Sequence, residues 1–282
     1  MSRRATPTTP PRARRAGSPP ARWPRGIWLV AALFALLLLV PAIARPDPER
    51  IDLDAILRAP SPTHPLGTDE NGRDALARLL IGARATLGIG AGGAALAVAL
   101  GALVGALAGY RGGIVDTALM RAVDIALALP SLFAILLFTA LVRPGVLQLI
   151  VLIGLTGWMA VARLTRGSIR DLLGAPFVEA ARVNGATGAR IILRHLLPNT
   201  GGVLFVAALV QLSRAILVEA TISFLGLGIQ PPAPTWGNLL IGAQDYLYGA
   251  PWLAIAPGLA ITLTLLAIYS LGMGRAVGPR AA

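Results

Sequence analysis

The sequence contains no cysteine and no lysine, and each absence excludes particular chemistry. Without cysteine, the chain can form neither a disulfide framework nor a thiolate metal site. Without lysine, it cannot contain a Gly-x-x-x-x-Gly-Lys-Ser/Thr loop, so it cannot bind and hydrolyse ATP by that route. The two histidines, His64 and His195, lie in separate segments, which argues against a shared metal or catalytic site.

Charged residues are also scarce. They make up 13% of the 282 residues, whereas hydrophobic residues make up 55%, and the mean hydropathy is +0.70. Soluble domains average about 25% charged residues. A soluble fold could not bury this much apolar surface, but a lipid bilayer can solvate it. The composition therefore predicts an all-α membrane protein.

Six apolar runs are candidates for transmembrane helices, because most can cross a hydrocarbon core about 30 Å thick at about 1.5 Å per residue. They are residues 26–44, 85–108, 114–141, 146–161, 202–223 and 252–271. The third begins with charged residues, so its membrane part is expected at 126–141. The first run could be a signal peptide, but an uncleaved anchor fits its long basic flank and the later spans better.

Arginine is distributed unevenly around these runs. In a six-span topology seventeen arginines fall on one side and seven on the other, which is also rich in acids. The positive-inside rule then places both termini and residues 162–200 in the cytoplasm, and residues 45–83 and 224–251 outside. The same rule accounts for the net charge of +12 without a nucleic-acid partner. The basic tail, residues 1–25, has no acidic residue and is predicted to be disordered.

Glycines in the second apolar run formally match a dinucleotide-binding fingerprint at residues 88–93. The match lies inside an apolar helix-length run with no preceding strand, so nucleotide binding is not expected. Glycines four residues apart favour close helix packing instead. These pairs are Gly88/Gly92, Gly101/Gly105 and Gly105/Gly109.

The segment 162–200 predicts a helix–turn–helix at the membrane surface. A short helix from Phe177 to Asn184 is expected to end on Gly185 in the left-handed conformation. Thr187 can cap a second helix, which Pro198 is expected to end. The alternative is an amphipathic helix that contacts only lipid headgroups.

The same segment resembles the EAA loop of ABC importer permeases, at residues 174–199. The pattern is Glu179-Ala180-Ala181, then Gly185, then His195-x-Leu197-Pro198. An aliphatic residue is more usual at His195, but the peptide-permease branch often reads Arg-His-x-Leu-Pro-Asn, as residues 194–199 do here. The resemblance implies that the loop couples to a cytoplasmic ATPase through Glu179, Ala180, Ala181, Gly185, His195, Leu197 and Pro198.

Three further stretches are similar to the C-type subunits of dipeptide, oligopeptide and nickel permeases. They are residues 64–74, residues 109–113 with Asp124, and residues 223–232 with Trp236-Gly237. The resemblance covers residues 60–275. The C-terminus departs from it, because the acidic pattern common in the family is missing at residues 272–280.

This resemblance implies a six-helix type I permease in the inner membrane. Its first transmembrane helix is expected at residues 26–44, followed by an extracytoplasmic segment at 45–83 and the permease domain at 84–275. It implies a channel-forming subunit for di- or oligopeptides or nickel chelates, without a cofactor. Expected partners are membrane lipids, a second homologous permease, two cytoplasmic ABC ATPases that hydrolyse the ATP, and an extracytoplasmic solute-binding protein. The alternative is a self-sufficient secondary transporter or channel, which would need charged or broken helices near the membrane centre.

Two ionisable residues, Arg214 and Glu219, lie within the fifth apolar run. Such groups usually face a bundle interior or a watery cavity and mark a transport pathway. A structural ion pair is the other reading, although a spacing of five residues is not the favoured one on a helix.

Overall fold

A computed structural model describes residues 47–142 and 145–276 of the chain. The predicted tail, 1–25, and the first predicted span, 26–44, lie outside the described residues. The described part is helical and contains one isolated β-bridge, between Thr68 and Asp74. Its helices are α1 (Ala75–Arg111), α2 (Gly113–Ala128), α3 (Ser131–Leu141), α4 (Val146–Leu155), α5 (Trp158–Leu172), α6 (Pro176–Val183), α7 (Gly188–Ile191), α8 (Gly201–Phe224), α9 (Trp236–Ala243) and α10 (Trp252–Ala276).

Five of the six predicted spans correspond to helices in this part of the chain. Helices α1, α8 and α10 are each long and apolar enough to cross a membrane. The third and fourth predicted spans are bent pairs instead: α2 and α3 meet at 70°, and α4 and α5 meet at 45°. Each pair passes the same test only when its two helices are taken together.

The two breaks have local causes. Pro130 follows an extended Leu129, because a proline ring disfavours the helical conformation of the preceding residue. Between α4 and α5, the Thr156 hydroxyl donates to the carbonyl oxygens of Leu152 and Ile153, at 3.0 and 3.1 Å. This bond competes with regular helix geometry, and Gly157 then weakens the helix further.

Helix α1 is the centre of the bundle and packs against α4, α5 and α8. Its glycines allow the close approach that the sequence predicted. At Gly101 and Gly105 an added Cβ would overlap backbone carbonyl oxygens of α5. Gly88 was predicted to belong to this packing surface, but no atom lies within 4 Å of its Cβ position. That prediction is wrong for Gly88, because its side of α1 faces open space.

Helix α9 is fixed to the N-terminal half of α1 by a buried tryptophan. Trp236 is fully buried, and its indole nitrogen donates to the Leu79 carbonyl oxygen at 3.1 Å. Its backbone nitrogen donates to the Thr86 hydroxyl at 3.1 Å. Thr235 and Asn238 form a capping box at the start of α9. These contacts hold the start of α9 against α1.

The described residues before α1 fold against the start of that helix. Asp74 caps α1, because its Oδ1 accepts a hydrogen bond from the Ala77 backbone nitrogen at 2.8 Å. Its other oxygen lies 2.8 Å from His64 Nδ1. Arg73 and Asp69 form an ion pair at 2.7 Å in the same turn. The segment is therefore an ordered cap on α1.

Candidate functional site

Helix α6, which carries the Glu-Ala-Ala motif, has one packed face and one free face. Val178 and Ala181 are buried against a cluster that includes Ile169 of α5 and Ile191 of α7. Glu179 and Ala180 are exposed, as is Arg182, and Val183 is 88% exposed. Ala181 therefore brings α6 close to the bundle, whereas the free face holds the charged residues and Val183.

The turn after α6 has the geometry that the sequence predicted. Gly185 has a φ of +74°, in the left-handed region, and no atom lies within 4 Å of its Cβ position. The Ala186 backbone nitrogen donates to the Ala181 carbonyl oxygen at 3.0 Å, which closes the end of α6. Thr187 then caps α7 by accepting a hydrogen bond from the Arg190 nitrogen.

The second helix of the loop does not end at Pro198, so that expectation was wrong. After α7 the chain continues as a π-helical segment, Ile192–Leu196, and a last turn, Leu197–Asn199. Proline lacks an N–H, and its ring clashes with the carbonyl four residues earlier in an α-helix. The wider π turn accommodates this defect. The loop thus leads into α8 almost without interruption.

The remaining predicted coupling residues lie on this continuous path. His195 and Leu197 are half-buried, and Leu197 packs on the same cluster as Val178. Pro198 is exposed. The Asn199 side chain donates to the His195 carbonyl oxygen at 2.6 Å and secures the turn around the proline. These residues form the segment that joins α6 and α7 to α8, and they do not belong to the free face of α6.

Arg214 and Glu219 do not pair with each other, because they leave α8 toward different neighbours. The Arg214 Nη2 atom donates to the hydroxyls of Ser131 and Thr156, at 3.2 and 3.3 Å. Its Nη1 atom is buried and has no hydrogen-bond partner in the described structure. No acid in residues 47–142 and 145–272 forms an ion pair with it.

Arg214 lies where both helix breaks meet. A cavity of about 280 Å³ lies between the α2–α3 break and the α4–α5 break, and Arg214 and Gln211 line it from α8. Ser131 and Thr156 also line it, as do apolar residues such as Met159. The bent helices thus form a partly open cavity in which a few polar groups lie among apolar walls.

Glu219 occupies the other polar centre and is completely buried. Its Oε1 accepts a hydrogen bond from Ser223 at 2.7 Å, and the hydroxyls of Thr86 and Thr235 are close to the same carboxyl group. Its Oε2 has no partner with regular hydrogen-bond geometry in the described part of the chain. Because these neighbours belong to α1, α8 and the start of α9, this centre ties three elements together.

An ion-pair cluster at the loop end of the bundle was not predicted. Asp116 of α2 is buried and accepts hydrogen bonds from Arg166 and Arg170 of α5. A more exposed pair, Arg163 and Asp124, joins the same two helices at 2.5 Å. Two acids in α2, Asp116 and Asp124, together with arginines spaced three and four residues apart in α5, were the available sequence signal.

The partners of Arg214 were also missed. Ser131 follows Pro130, and Thr156 precedes Gly157, so in both runs a hydroxyl residue stands beside a helix breaker. That combination inside an apolar run is a usable signal for a polar helix break.

An apolar bundle with several helices long enough to cross a membrane defines a multi-pass membrane protein. The family model of the binding-protein-dependent transport system inner membrane component matches residues 78–281. The chain therefore belongs to this family of ABC importer permeases. The alternative, a self-sufficient secondary transporter or channel, is set aside.

Individual relatives agree with this family. The chain is 38% identical to the di/tripeptide transport system permease protein DppC of Pseudomonas aeruginosa, covering 88% of this chain and 84% of that protein. It is 37% identical to the oligopeptide transport system permease protein OppC of Haemophilus influenzae, over 79% and 73%. The fold matches a chain of the inward-facing MetNI methionine ABC transporter, with a TM-score of 0.54, 24% identity and coverage of 73% and 97%.

Proposed function

We propose that this chain lines the translocation pathway of an ATP-driven importer of short peptides. The relatives named above, which are permeases for dipeptides, tripeptides and oligopeptides, support this substrate class. The structural observation that carries the proposal is helix α6. It is fixed to the bundle on one face, and its other face exposes charged side chains and the protruding apolar side chain of Val183.

The proposed assembly contains a second homologous permease, two cytoplasmic ABC ATPases and an extracytoplasmic solute-binding protein. The ATPases hydrolyse ATP, and this chain contributes no catalytic group. Both termini and the loop at 174–199 lie in the cytoplasm, because arginine is concentrated on that side. Residues 45–83 and 224–251 then face the binding protein.

In the proposed mechanism, the free face of α6 fits a groove on one ATPase. Glu179 and Arg182 offer charges at its rim, and Ala180 permits close approach. When ATP closes the ATPase pair, α6 moves with its partner. Its packed face transmits this movement to α5 and α7, and the π segment carries it into α8. The cavity between the permeases then alternates between the two sides of the membrane.

Val183→Asp tests this coupling. A carboxylate in place of a protruding apolar group has to lose its hydration when the ATPase docks, which opposes binding. We expect at least a tenfold loss of ATPase co-purification and of ATP-dependent dialanine uptake in proteoliposomes that contain the binding protein. The fold of the variant should be unaffected, since Val183 is 88% exposed.

Ile114→Asp is the matched control. Ile114 is also 88% exposed, but it lies outside the loop, at the start of α2. This variant should keep ATPase binding and uptake. If Val183→Asp also keeps both, the loop does not dock on the ATPase. If the unmodified transporter takes up dialanine without ATP, the importer proposal fails.

A further inference from the structure

The cavity at the two helix breaks contains a positive charge that no residue in the described part of the chain neutralises. Arg214 lines the cavity, and its described neighbours are hydroxyl groups and the Gln211 amide, with no carboxylate. A cation inside a membrane protein normally pairs with an anion or with backbone carbonyls, because an uncompensated charge in low dielectric is costly. Arg214 therefore favours an anion that comes from outside the described residues.

The helix ends around the cavity add to this preference. Helices α3 and α5 both begin at its wall, and neither has a side-chain cap on its first N–H groups. Helix N-termini carry partial positive charge and favour anions. The breaks also expose carbonyl ends, but the Thr156 hydroxyl already bonds two carbonyls at the end of α4. The guanidinium of Arg214 therefore makes the net charge of the cavity positive.

The walls define what kind of anion fits. Apolar side chains, among them Leu127 and Met159, line much of the cavity. Gln211 is 94% buried as a residue and adds an amide that can donate and accept hydrogen bonds. A volume of about 280 Å³ lies just below the usual range for ligand sites, which begins at about 300 Å³. These properties suit a carboxylate attached to one small apolar residue and a peptide bond.

We propose that Arg214 binds the terminal carboxylate of the transported peptide, with Gln211 at its last peptide bond and its last side chain against the apolar wall. This inference rests on the proposed function, since it assigns a step of peptide transport. The permease pair then selects for a free peptide C-terminus, independently of the solute-binding protein.

The test separates the permease from its binding protein. The complete transporter, without the binding protein, is placed in lipid nanodiscs and irradiated with alanyl-photoleucine as the free acid or as the C-terminal amide. The unmodified transporter should label at least tenfold more strongly with the acid, at residues of the cavity wall. Arg214→Gln should bring the ratio of acid to amide close to one, and Arg214→Lys should retain part of the preference.

Arg163→Gln is the control, because it removes an arginine of α5 whose side chain is 52% exposed and lies outside the cavity. It should keep the acid preference. Equal labelling of the unmodified transporter by acid and amide would overturn the proposal, as would an unchanged ratio in Arg214→Gln. If Arg214→Gln instead releases the second permease, the missing anion belongs to that subunit and the proposal is wrong.

Uptake in proteoliposomes with the binding protein distinguishes failure of this inference from failure of the proposed function. If the unmodified transporter imports dialanine but lacks the acid preference, only the carboxylate site is wrong. If it imports no peptide, the substrate class itself is wrong.

Discussion

Gly185 adopts a left-handed backbone conformation, and one substitution can test whether the loop requires it. In the left-handed conformation a residue with a Cβ is strained by about 1–2 kcal/mol, and a β-branched residue is the least suited. Gly185→Val should therefore move or unwind α6 and lower ATPase co-purification by roughly tenfold, since about 1.4 kcal/mol corresponds to that factor. The measurement is the ratio of ATPase to permease after purification at matched expression.

Gly174→Val provides the comparison. Gly174 lies just before α6, has no positive φ and also has no atom within 4 Å of its Cβ position. Both substitutions therefore add the same side chain into open space, and only one meets a left-handed backbone. Equal ATPase binding by the two variants would contradict a role for the turn geometry.

At the scale of a helix, the contact between α1 and α5 depends on glycine. An added Cβ at Gly105 would overlap the Ala162 carbonyl oxygen, and backbone cannot move aside as a flexible side chain can. Overpacking of this kind costs about 1–3 kcal/mol. Gly105→Ala should lower the thermal unfolding temperature of the purified protein and broaden its elution from a sizing column.

Gly88→Ala makes the same chemical change on the same helix, at a position that faces open space. Alanine is the better helix former by about 0.5–1 kcal/mol. This variant should therefore unfold at the same temperature or slightly higher. A lower unfolding temperature for Gly88→Ala than for Gly105→Ala would refute the packing explanation.

Helices were largely predictable from the sequence, but their faces and breaks were not. Apolar runs located α1, α8 and α10, and Gly185 and Thr187 located the turn between α6 and α7. The break at Pro130 was overlooked because run length alone does not reveal a bend. The inward face of Ala181 depends on how α6 packs against α5 and α7, which no local pattern specifies.

The candidate site also has a part that the sequence predicted and a part that it did not. The motif predicted the coupling residues in the loop, because they all lie in one short segment, between Glu179 and Pro198. The side chains around Arg214 belong to α3, the end of α4 and α8. Its hydroxyl partners, Ser131 and Thr156, are separated from it by 83 and 58 positions in the sequence. Such proximity follows from tertiary packing of broken helices. The sequence could therefore identify Arg214 as unusual, but it could not identify its neighbours.

At the scale of the whole molecule, the orientation in the membrane is a prediction from arginine distribution. Single cysteines at Thr63, Gly174 and Ala233 can test it, because the chain has no cysteine of its own and all three sites are exposed. A membrane-impermeant thiol reagent should label the Thr63 and Ala233 variants in intact cells. The Gly174 variant should react only after permeabilisation, and the reverse pattern would invert the topology.

Helix α1 is one unbroken rod of 37 residues, about 55 Å long at 1.5 Å per residue. Its N-terminal end is capped by Asp74, which lies against His64, and near its C-terminal end Tyr110 lies beside Gly188 of the loop. Because α4 and α5 are bent against each other and α1 is not, a tilt of α1 acts as a lever. Each degree of rotation about one end displaces the other by about 1 Å, given that length. The movement of one rigid helix thus couples the segment at Asp74 to the loop at Gly188. This coupling needs no chain of side-chain contacts through the bundle.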